Sequence, residues 1–137
     1  MLERINYKNH EIAIIIRNSY KNNGCQFFTP EDYSQQLGYM RHKKGHQIEP
    51  HYHLETSREV KKTQEVLFIK SGKVKVNFFT TNEEYIQSIT LQKGDVILLA
   101  SQGHGFEMLE ETEMIEVKQG PYKGELDKKK FKNNILK

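Results

Sequence analysis

His51 and His53 are separated by one residue, and Glu65 heads an apolar run, Val66 to Ile69, that turns at Gly72. On an extended strand, residues two apart leave the same face, so both imidazoles point one way. Two nitrogen donors and a carboxylate on adjacent strands suit a borderline divalent metal. His104, on a later strand-like segment, can complete the set. Such a set leaves positions for water or substrate on a six-coordinate ion. The donor types fit Fe, Mn, Ni, Co or Zn without choosing among them. In an apolar lining, these side chains are costly unless paired or metal-bound.

The segments that must hold these residues read as strands. Ile5 to Tyr7 and Glu11 to Arg17 begin the series, the second rich in isoleucine, which favours pleated backbone. Gln26 to Thr29 and Gln36 to His42 follow. The Thr29-Pro30-Glu31-Asp32 stretch between them reads as a turn or a single helical turn. Ile48 to Leu54 is the strand expected to carry His51 and His53. Glu55 to Lys62 reads as a polar excursion. Thr63 to Ile69, then Val74, Val76 and Phe78 alternating with polar residues, form a hairpin around Ser71-Gly72. Tyr85 to Leu91, Val96 to Ala100 and Glu113 to Gln119 are further strands. About ten short strands with frequent turn signals are the pattern of an all-β sandwich or barrel with little helix.

These residues carry a resemblance to the cupin superfamily. Gly45, five residues, His51-x-His53, a gap, Glu65, six residues and Gly72 match that family's first motif, with a longer gap before the glutamate. Gly94-Asp95, the apolar run Val96 to Leu99, and His104 are similar to its second motif. Ala100 replaces the usual proline and Met108 the usual asparagine. The resemblance covers residues 36–120. It implies a small antiparallel β-barrel or jelly roll over residues 1–126, with 127–137 as a basic tail. It also implies one divalent transition metal held by His51, His53, Glu65 and His104. Arg41 and Glu116 are candidates for polar contacts to a small-molecule ligand, and Phe106 for its apolar wall. Similar short cupins stand beside surface-polysaccharide genes, which points to a sugar-derived ligand. Three functions stay open: an enzyme acting on a small polar molecule, a non-catalytic ligand-binding module, and a metal-free sugar-nucleotide isomerase or epimerase with a histidine as base. A homodimer joined across sheet edges is the family expectation, with Ile5 to Arg17 as candidate strands.

Composition narrows the field. The 137 residues suffice for one domain with a real core. The formal charge is +3, and residues 127–137 alone carry +4, so the body is near neutral. The tail reads as a solvated end with a short frayed helix around Phe131 and Ile135. No basic stripe interleaved with aromatics marks a nucleic-acid surface. There is no phosphate-cradling glycine loop or Gly-x-Ser-x-Gly elbow, and Cys25 has no evident partner histidine. No apolar run is long enough for a membrane span, and Met1 to Asn9 lacks the stretch of a secretory signal. The single cysteine fits a reducing cytoplasm.

Overall fold

The computed structural model describes residues 1–133 and 135. The chain is nearly all β, in antiparallel pairs. Its strands are β1 (Leu2–Tyr7), β2 (His10–Ile16), β3 (Gly24–Phe27), β4 (Gly38–Arg41) and β5 (Glu65–Ser71), then β6 (Lys73–Phe79), β7 (Tyr85–Gln92), β8 (Val96–Leu99), β9 (Gly103–Met108) and β10 (Glu113–Lys118). One short 3-10 turn, Gly124–Asp127, follows. No helix among the described residues is long and apolar enough to cross a membrane.

Five strands form one sheet in the order β1-β2-β8-β5-β10, three form another in the order β7-β6-β9, and β3 pairs only with β4. The two larger sheets face each other. Ala13, Ile15, Leu67, Ile69 and Ile97 of the first pack against Val74, Val76, Phe78 and Leu91 of the second. A second apolar layer covers the back of the five-stranded sheet, where Ile14, Ile16, Leu98 and Ala100 meet Leu37, Phe28 and Tyr33. This is why β2 and β8 are apolar on both faces: each face has a cover. Among the described residues no ladder joins the two sheets edge to edge, so β9 and β10 each keep one free side.

Two glycines set the turns that orient β5 and β8. Gly72 (φ 89°) turns β5 into β6, and a Cβ there would collide with the Glu111 carbonyl. Gly94 (φ 88°) makes the turn before β8 and lies against Asn18 in the same way. Buried Asp95 fixes that corner. It accepts from the backbone N–H groups of Asn18 and Gln92, both at 2.8 Å, and from Arg17 at 3.1 Å.

The structure corrects several expectations. Ile48 to Leu54 is not a strand, and residues 42–64 have no regular structure. The alternation is present, but among the described residues no neighbouring strand is offered to it: β4 pairs with β3 alone and β5 begins at Glu65. The hairpin expected around Ser71-Gly72 does not form either, because β5 and β6 enter different sheets. The Pro30 segment is a turn, one of its two expected forms, with Tyr33 N–H reaching the Pro30 carbonyl at 3.2 Å. The tail is not helical around Phe131. That ring packs edge-on against Phe79, 5.2 Å between centroids. Asn134, Leu136 and Lys137 of the expected tail lie outside the described residues.

Candidate functional site

Glu65 is the first residue of β5, where its Cα is paired with Leu99 of β8 and Lys118 of β10. It shares a face with Leu67 and Ile69, so its carboxylate enters the space between the sheets. His104 is on β9 opposite Phe78, on the inward face of the other sheet. The two side chains meet. His104 Nε2 lies 2.7 Å from Glu65 Oε1, with Glu65 12% and His104 28% exposed. The hydrogen bond from His104 holds the Glu65 carboxyl below the usual carboxylate range. It prevails over burial, which pushes the other way, and the Lys118 charge assists it. With Nε2 engaged by the carboxylate, Nδ1 is the ring nitrogen of His104 that Glu65 does not occupy.

Phe106 lies beside His104, ring to ring at 5.5 Å, and packs on the inner core. Glu116 stands opposite Leu67 on β10, so it faces inward, and its carboxylate is 3.9 Å from Lys118 Nζ. Arg41 ends β4 in the separate hairpin, exposed, with no hydrogen bond or ion pair to Glu65 or His104. His51 and His53 are exposed in the 42–64 segment. Their rings are edge to face at 5.4 Å, and His51 Nδ1 is 2.8 Å from the Glu49 carbonyl. The structure therefore brings Glu65 and His104 together and leaves His51 and His53 apart from them. Among the described residues no group of three or more His, Cys, Asp or Glu side chains is placed to hold a metal ion. Within one chain, the four proposed ligands do not fit a metal in this arrangement.

Sequence reasoning missed Gln64. It is 3% exposed and is the point where the long segment rejoins the body. Its carbonyl oxygen accepts from Gln35 N–H at 3.1 Å and Ser34 Oγ at 3.3 Å, and its amide donates to the Ala100 carbonyl at 3.3 Å. Its buried position beside Glu65 carries no sequence signal beyond heading an apolar run. Tyr33 was also passed over. Its hydroxyl donates to Glu11 at 2.7 Å, and burial, then that bond, raises its pKa. Tyr33, Glu11 and Gln64 line a cleft of about 390 Å³ closed on one side by Glu59 to Lys62.

A comparison with family models, with curated proteins and with solved structures finds no match.

Proposed function

We propose that this chain binds a small polar molecule between its two sheets and moves a proton on it with the Glu65–His104 pair. The observation that carries this reading is the 2.7 Å contact between a carboxylate of one sheet and an imidazole of the other. An ionisable pair at the edge of a Val, Ile and Phe interior has no packing purpose that an apolar pair would not serve as well. Glu65 orients the ring, His104 offers Nδ1 to the ligand's proton, and Phe106 forms an apolar wall. A sugar-derived substrate, in an isomerase- or epimerase-like reaction, is the chemistry that such a base suits. The test is an NMR titration of the imidazole signals with phosphorylated and nucleotide-linked sugars. The His104 resonance should move with ligand in the wild-type protein, and the binding should vanish in His104→Gln. Binding that survives His104→Gln, or maps to the Tyr33 cleft, would sink the assignment.

A second reading is favoured by the spacing Gly45, His51, His53, Glu65, Gly72. It makes the protein a cupin-like jelly roll with one divalent transition metal, bound by His51 and His53 in addition to Glu65 and His104. The carboxylate and imidazole already in contact are apt donors. Metal analysis of untagged protein should find about one ion per chain, lost in the His51→Ala/His53→Ala variant. A folded protein without metal would leave the proton-transfer reading alone.

A further inference from the structure

Residues 40–63 are twenty-four consecutive exposed residues, an unusual length for a compact chain. Their middle is not featureless. Ile48, Pro50, Tyr52 and Leu54 alternate with Glu49, His51, His53 and Glu55. That is the two-faced pattern of a strand. Tyr52 is 84% and Leu54 76% exposed, so among the described residues the pattern has no partner in its own chain.

The body shows the complementary gap. Among the described residues β9 pairs only with β6, and β10 only with β5. The Glu65–His104 contact sets β9 against β5, so both free edges border one seam between the sheets. Side chains that face inward along this seam are open to solvent. Met108, opposite the fully buried Val74, is 49% exposed, and Glu116 and Lys118 are exposed too. Inner faces of a sandwich are ordinarily sealed. The seam lacks a strand, and the chain carries a strand that lacks a seam.

We propose that two copies exchange this segment: each lays residues 48–54 along the free edge of the other's β9, bringing His51 and His53 to the partner's Glu65 and His104. The backbone of the segment would satisfy the open edge, the usual chemistry of strand addition. Imidazole nitrogens would enter beside Glu65, His104, Glu116 and Lys118, a polar end to the seam. The root of the arm is fixed, since Gln64 is bound by Ser34, Gln35 and Ala100. Residues 47–58 make no hydrogen bond to the body among the described residues. An arm held at its root and free along its length is suited to reciprocal exchange, which closes with two-fold symmetry. Phe68 of β5 and Ile115 and Val117 of β10 are exposed on the outer face of their sheet, so the other face of the arm, Tyr52 and Leu54, would find apolar surface beside the free edge of β10. What the gathered side chains hold rests on the metal reading above; the exchange itself does not.

The decisive experiment places photoreactive benzoylphenylalanine at position 52 and refolds a mixture of light and isotopically heavy chains. Exchange predicts cross-links from position 52 to the β9 or β10 peptides, about half of them joining heavy to light chains. Links confined to chains of one label, or none to these strands, would overturn it. Untreated wild-type protein should have the mass of a dimer in solution, and a monomer would overturn it equally. The site is then probed by refolding His51→Ala/His53→Ala together with Glu65→Gln/His104→Ala. Neither variant alone should hold metal, and the mixture should recover about one ion per four chains, because each mixed dimer has one intact site. Wild-type metal binding without that recovery overturns the exchange and spares the metal reading. Heavy-to-light links in a protein that binds no metal uphold the exchange and remove the metal.

Discussion

β2 and the 48–54 stretch make opposite use of similar raw material. Both are short, both contain β-favouring residues, and both read as strands. Ile12 to Ile15 are entirely buried, whereas Tyr52 and Leu54 stand in solvent. The difference lies in neighbours. β2 has β1 and β8 at its edges, the second sheet on one face and Leu37, Phe28 and Tyr33 near the other. The arm has no ladder partner. A strand is thus a property of the place a segment finds, and sequence pattern states only that it is able to take one.

That contrast is tested most sharply by removing volume from the core. Phe78 is fully buried in the layer between the sheets. Phe78→Ala should cost about 3–5 kcal/mol, from lost transfer energy and the cavity left behind. Urea unfolding gives the value. A loss near that of a surface substitution would mean that the two sheets are not packed as described.

The regular core was legible because its cues are local. The alternation of Val74, Val76 and Phe78 marks β6, and Gly72 and Gly94 mark turns before β6 and β8. The pairing around Ser71-Gly72, expected as a hairpin, was not legible: β5 and β6 enter different sheets, and β6 pairs with β7 and β9. The strand register that brings Glu65 to His104 was less legible, since it depends on how two sheets stack. Ile48 to Leu54 reads as a strand because His51-x-His53 sits in an alternating stretch. Alternation reports two faces but never says which edge will pair with them. Gln64 escaped notice for the same reason. Its partners Ser34, Gln35 and Ala100 are remote in sequence, and a glutamine before an apolar run gives no local warning of burial.

Gln64 gives the next largest effect. It joins the arm to the core and shares features of both, so it shows how far the ordered region extends. Gln64→Ala leaves the Gln35 N–H without its acceptor and should cost about 1–3 kcal/mol. Hydrogen exchange at Gln35 should rise more than exchange in β6. Equal changes in both would indicate a global loss rather than release of the arm's root.

Glu65 distinguishes a built contact from an incidental one through pH. Its folded pKa lies below its ordinary value, chiefly through the His104 hydrogen bond. Its contribution to stability is therefore present above the unfolded pKa and is lost as pH falls through the folded one. In chelator-treated protein, wild-type stability should drop, as pH falls from about 5 through the lowered folded pKa, more steeply than that of Glu65→Gln. Identical acid limbs in urea titrations would mean that the pair does not form in solution.

The smallest effect belongs to the arm. At high dilution Tyr52→Ala should change the unfolding free energy by less than about 0.5 kcal/mol, as expected for an exposed side chain away from the core. This is the opposite extreme to Phe78, although both are aromatic residues in strand-like sequence. The two values diverge only while the chain is alone. Exchange makes stability depend on concentration, because association favours the folded state by mass action. The Tyr52→Ala penalty should then grow as protein concentration rises, while the Phe78→Ala penalty stays nearly constant. A Tyr52 penalty that is flat across the concentration range would mean that the arm stays in solvent and that the contrast with β2 is permanent.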